Sequence, residues 1–153
     1  MNFQELEQYL KSIPEKVSAD LPEIVAETAT EYFKESFSVK EFDGKPWPQP
    51  KSQKRTGSLM ISSGALLNSI RPTVVSPELV RISAGNEKVP YARAHNEGVN
   101  EEVVINPFKR RDGTEVKGHS RAMNLPQRQF MGRSNELAKI IHDRVSGYIK
   151  DIL

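Results

Sequence analysis

Three histidines, His95, His119 and His142, and no cysteine make up the small stock of side chains able to carry metal or nucleophilic chemistry. His95-Asn96 with His119 further on mimics part of a His-Asn-His metal nuclease, yet the strand-helix platform that presents the ligands is missing. Without a thiol there is no Cys-based nucleophile, no Cys-rich zinc site and no disulfide framework. The serines belong to no Gly-x-Ser-x-Gly elbow, since Ser63-Gly64 lacks the following glycine. Gly44-Lys45 and Gly57-Ser58 stand outside the Gly-x-x-x-x-Gly-Lys frame that aims backbone amides at phosphates. The chain therefore reads as a non-enzyme with no cofactor and no metal. His95 reads as a half-buried hydrogen-bonded residue, His119 as a solvated arm residue and His142 as a polar position on the last helix.

Charge is the next chemistry to weigh. Residues 1–50 carry 10 acids and 5 bases, a balance of −5, whereas residues 51–153 carry 10 acids and 17 bases, a balance of +7. A chain polarised in this way can pair head to tail with copies of itself. In the acidic part Glu23, Glu27, Glu31 and Glu35 recur every four residues and form one ridge on a helix. Like charges so spaced repel by ~0.2–0.5 kcal/mol per pair, so the ridge adds nothing locally beyond solubility. It either faces a basic partner or is a solvated face. In the basic part Lys109, Arg110, Arg111, Lys117, Arg121, Arg128 and Arg133 are the densest set, interrupted by Asp112 and Glu115. Nucleic-acid binding would want that charge backed by stacking aromatics or a groove-fitting helix, and only Phe108 and Phe130 lie near. Contact with an acidic protein surface is the competing reading. Lys51, Lys54 and Arg55 add a smaller basic cluster.

The elements that must position these groups follow from periodicity. At 153 residues with 37% hydrophobic content, 10 prolines and 9 glycines, the chain suits a single domain with long loops or an extended arm. Some of its apolar surface would then be covered only in an assembly. Phe3, Leu6, Leu10 and Ile13 predict a short helix over 2–13, ended or kinked by Pro14 and loosely attached to the rest over 1–19. Asp20 as N-cap and Pro22 in the first turn predict a second helix to about Phe37. Residues 38–56 lose regularity, and Trp47 among three prolines reads as a strap over the core with Phe42; a stacking platform is the functional alternative.

Residues 61–70 read as a short helix capped by Ser62 or Ser63, with Leu66, Leu67 and Ile70 on one face and Pro72 stopping it. Residues 73–75 and 79–83 predict a hairpin. Tyr91, Ala94 and His95 share a face of a helical turn or two that Gly98 stops. Residues 101–123 predict a long hairpin arm turning at Asp112-Gly113. Ser134 caps a last helix whose stripe runs through Leu137, Ile140, Ile141, Val145, Tyr148, Ile149 and Ile152, with Arg144 the one mismatch. No basic region precedes an apolar run and no 18 apolar residues occur in succession, so neither signal peptide nor membrane span is expected, and the protein should be soluble and made in the cytoplasm.

Four of these segments, taken in order, resemble the phage virion morphogenesis family, the tail completion proteins of contractile-tailed phages. The segments are Trp47-Pro48, the helix at 61–70, Tyr91-Ala92-Arg93-Ala94-His95-Asn96-Glu97-Gly98 and Leu125-Pro126-Gln127-Arg128-Gln129-Phe130-Met131-Gly132. The family pattern has threonine where Ser63 stands, and small residues or proline where Gln127 and Gln129 stand. The resemblance implies an α+β subunit, a small antiparallel sheet packed by N- and C-terminal helices, that assembles as a homo-oligomeric ring. Its place would be the head-proximal end of a tail or the head-tail junction, and a hexamer is one form the ring could take. The implied partners are further copies of the chain, the tail tube or terminator and the head-completion proteins, with no membrane. Trp47, Gly64, Leu66, Ser69, Ile70, Tyr91, His95, Gly98, Pro126, Arg128, Phe130 and Gly132 become structural. Tyr91, His95 and Gly98 are then core and turn residues, Arg128 an anchor in an ion pair and Phe130 an anchor in an apolar pocket.

Overall fold

The computed structural model describes residues 2–53 and 56–153, so two members of the small basic cluster, Lys54 and Arg55, lie outside the described residues. The fold is α+β. One helix, α1 (Phe3–Val39), forms its spine, and 37 residues at 1.5 Å rise make it about 55 Å long. Asn2 opens it with a reciprocal capping box, its side chain accepting from the Glu5 amide at 2.8 Å while the Glu5 carboxylate takes the Asn2 amide at 2.8 Å.

The two helices expected here are thus one, and neither Pro14 nor Asp20 breaks it. A proline costs a helix the hydrogen bond to the carbonyl four residues back. Those carbonyls belong to Leu10 and Ser18, both exposed, so water can take them up. Asp20 caps nothing and instead accepts from the Tyr148 hydroxyl at 2.5 Å. Lys40, left-handed at φ 60°, closes the helix by donating its amide to Ser36 O at 2.8 Å.

The stretch after α1, expected to be irregular, holds a minimal hairpin, β1 (Glu41–Phe42) and β2 (Lys45–Pro46). Asp43 and Gly44 turn it with φ of 49° and 75°. Two positive-φ residues suit the right-handed twist of a tight hairpin, and Asp-Gly supplies them at low cost. Next come α2 (Ala65–Asn68), the antiparallel pair β3 (Arg71–Val75) and β4 (Val80–Ser83), and α3 (Ala92–Glu97).

The long arm runs from β5 (Val99–Ile105) to β8 (His119–Leu125), paired residue for residue from Val99↔Leu125 to Ile105↔His119. Its tip is β6 (Phe108–Lys109) against β7 (Glu115–Val116), turning at Gly113 with φ 87°. The helix α4 (Asn135–Ile152) ends the described chain. The sheet is four separate two-stranded antiparallel ladders rather than one continuous surface.

Both α4 and the β3–β4 hairpin lie against α1. The core runs through Phe33, Phe37, Phe42, Trp47, Leu66, Ile70, Val89 and Phe130. Arg144, the mismatch on the apolar stripe of α4, bridges to α1 through Thr28 Oγ1 at 3.1 Å and Glu31 Oε2 at 2.8 Å. The first turns of α1 reach α4 only near its end, where the Tyr9 hydroxyl donates to Ile152 O at 2.6 Å. Phe3, Leu6 and Leu10 there remain exposed.

Candidate assembly site

The strap is built from side chains, as a proline-rich backbone requires. Trp47 is buried, its ring edge-on to Phe37 at 5.4 Å, and its indole N–H donates to Gln129 O at 2.7 Å. Phe37 in turn meets Phe130 at 5.2 Å. Phe42 packs with Tyr32 and Phe33 at 5.9 and 6.3 Å. This burial places Trp47 and Phe42 over the core and leaves no open indole face for stacking.

The Asn96 side chain organises the link around Phe130, a role that nothing in its spacing announced. Its Oδ1 accepts from the amides of Phe130 at 2.9 Å and Met131 at 3.0 Å, and Gln127 Nε2 donates to Asn96 O at 3.1 Å. The Arg128 amide donates to His95 O at 2.9 Å. Gly98 lets the link approach, since a Cβ on it would stand 3.0 Å from the Gln127 nitrogen, and its φ of 76° with ψ of 163° is a conformation side chains avoid. The α2 stretch is held in the same manner. Ser69 donates to Leu66 O at 2.6 Å and accepts from the Gly85 amide at 2.9 Å.

Three expectations at these positions are corrected. The N-cap of α2 is Gly64 at φ 80°, not a serine, because only a left-handed residue makes the sharp entry; Ser63 Oγ still accepts from the Ala65 amide at 3.3 Å. Tyr91 is 42% exposed, with its ring edge-on to His95 at 5.7 Å, so it belongs to the surface and not the core. Arg128 is only 6% exposed yet has no acid partner among the described residues; its Nε donates to Pro48 O at 2.9 Å. Burial pushes its guanidinium below the usual arginine value. Arg128 thus sits inside the molecule, apart from the arm whose charge it was expected to share.

The acidic ridge is real as a surface. Glu23, Glu27, Glu31 and Glu35 are all exposed along α1. Among the described residues Glu31 is the one taken up within the chain, by Arg144 at 2.8 Å. Beside Glu31 and Glu35 runs a groove of about 590 Å³ floored by Leu67 and Ile140. On the arm, Lys109, Arg110, Arg111, Lys117 and Arg121 are exposed, with Lys109 held 3.4 Å from Glu115. Val104, Phe108 and Met123 are exposed between them, at 73%, 51% and 41%. The acids of α1 and the bases of the arm are thus both exposed, and on the arm exposed apolar residues lie among the charges.

Among the described residues no group of three or more His, Asp or Glu side chains could hold a metal, and no helix is long and apolar enough to cross a membrane. His95, His119 and His142 stand on three different elements. The model of the phage virion morphogenesis family matches residues 1–150. No curated protein and no solved structure matches the chain.

Proposed function

Because the chain belongs to the phage virion morphogenesis family, we propose that it is a structural, non-enzymatic subunit that acts at tail completion or head-tail joining as a homo-oligomeric ring. Its partners would be further copies, the tail tube or terminator and the head-completion proteins, and its place the tail or the head-tail junction of the virion.

The observation that carries the ring is uncovered apolar surface on two elements of the fold: Phe3, Leu6 and Leu10 on α1, and Val104, Phe108 and Met123 on the arm. Water-exposed apolar area of this kind favours association by roughly 25 cal/mol per Å² once buried. The charges give the association a direction. A basic arm laid along the acidic ridge of the next copy is a heterologous contact, and repetition of such a contact closes a ring when the rotation allows.

Light scattering across a salt series tests this. At low salt the mass should be several times that of the 17.3 kDa chain, and it should fall as salt shortens the Debye length toward ~3 Å at 1 M. A monomer at high concentration and low salt overturns the ring. The same preparation titrated with duplex DNA should show no binding at physiological salt. Affinity with a steep loss on added salt would instead assign the basic region 109–133 to nucleic acid.

A further inference from the structure

Arg128 is a buried residue whose charge has no ion-pair partner among the described residues. Taking a guanidinium out of water costs several kcal/mol by order of magnitude unless acceptors replace the solvent, and among the described residues one carbonyl, Pro48 O, accepts from it. The side chain lines a recess of about 570 Å³ where the arm leaves the body, walled by Pro48, Pro50, Leu125 and Pro126. Lys51 stands in the same lining, Asn100 and Asn124 add amide groups, and no Asp or Glu is present. The Lys51 side chain is exposed and enters no ion pair among the described residues. Apolar walls with two cations and no anion are complementary to an acidic side chain carried beside apolar ones.

We propose that this recess is a carboxylate seat, and that a second copy fills it with the first turns of its α1. That segment has the matching chemistry: Phe3, Leu6 and Leu10 are exposed apolar residues, and Glu5 and Glu7 are exposed acids between them. Among the described residues the Glu7 carboxylate is engaged by Lys11 on the same exposed face, a pair worth little in water. Inside the recess the same carboxylate would meet a guanidinium whose two terminal nitrogens have no acceptor among the described residues and are able to give it two N–H bonds. The assignment of the occupant rests on the ring reading, whereas the seat itself does not. Seating α1 at the arm base would hold neighbouring copies at a second point, distinct from the ridge and arm-tip contact.

The seat is tested on the whole protein without assembly. Trp47, the single tryptophan, precedes the Pro48 carbonyl that holds Arg128, so its emission reports on the recess. Titration with N-acetylglutamate at constant ionic strength should give a saturable change that N-acetylglutamine does not give. Arg128→Gln should weaken it by about tenfold or more, as loss of a charge-assisted pair does. Lys51→Gln, at an exposed position that leaves the strap intact, should weaken it by a smaller factor. No saturable response, or an equal response to N-acetylglutamine, overturns the seat, and tighter binding of inorganic phosphate overturns its preference for carboxylate.

The occupant is tested by mass. Lys51→Gln and Glu7→Gln combined with Leu6→Ser should each lower the oligomer mass at low salt, and the two sets together should do little more than either alone. Variants that leave the mass unchanged overturn α1 as the occupant while the ring stands. A wild-type monomer that still binds N-acetylglutamate overturns the second copy as the source and leaves the seat.

Discussion

Where α4 begins, a few polar groups settle how the last helix meets the body. Ser134 Oγ accepts from the Leu137 amide at 3.0 Å and donates to Asp43 Oδ1 at 2.7 Å. The Tyr32 hydroxyl donates to Glu136 at 3.0 Å. The Ser134 hydroxyl first, and then the Glu136 amide at 3.3 Å, hold the Asp43 carboxyl below the ordinary aspartate value, and burial raises the Tyr32 hydroxyl above its own. For Asp43 the folded value lies below the unfolded one, so its stabilisation is fully present above the ordinary carboxyl range and is lost as pH falls through the folded value. Wild type should therefore exceed Asp43→Asn in urea midpoint at neutral pH, and the gap should close on acidification; two parallel curves would rule the linkage out. At Gly98 the demand is steric. Gly98→Ala should cost about 1–3 kcal/mol, read from urea unfolding, and an unchanged midpoint would mean that the link at Gln127 shifts freely. The Ser134 cap was legible from its place before an apolar stripe, whereas its Asp43 partner lies 91 positions away in the chain and left no local sign.

The long helix is the element at which local reasoning and the fold part. Pro14 signals an end and Asp20 with Pro22 a fresh start, yet 37 residues continue through them, with α4 and the β3–β4 hairpin packed along α1 and the residues whose carbonyls the prolines free, Leu10 and Ser18, exposed. Pro14→Ala should accordingly raise stability, by on the order of 1 kcal/mol and at most the ~3 kcal/mol intrinsic penalty. A thermal or urea midpoint that falls instead would mean that a bend at Pro14 serves the packing. The β5–β8 arm was legible from alternation and the Asp112-Gly113 turn, and its register extends two residues further at each end than the alternation alone marked. The β1–β2 hairpin was not legible, since two-residue strands carry no periodicity and only Asp43-Gly44 marked them.

At the scale of the whole molecule, the fold leaves two elements exposed around its core: an acidic helix with an uncovered front and a basic, partly apolar arm. Assembly of copies through these surfaces predicts a mass that falls with salt. A mass insensitive to salt would assign the contact to the apolar residues alone. The sequence by itself determined the parts whose cause is local. These are the apolar stripes, the turn at Asp112-Gly113, the cap at Ser134, the stop at Gly98 and the charge polarity, each set by neighbours within a few residues. It also carried, in the order of four short segments, the family to which the chain belongs. Only the tertiary structure decided that α1 is one helix, that Tyr91 is a surface residue and that Arg128 is buried with no acid partner among the described residues. Each of those depends on groups brought together from distant parts of the chain, and burial, unlike periodicity, is a property of the packed whole.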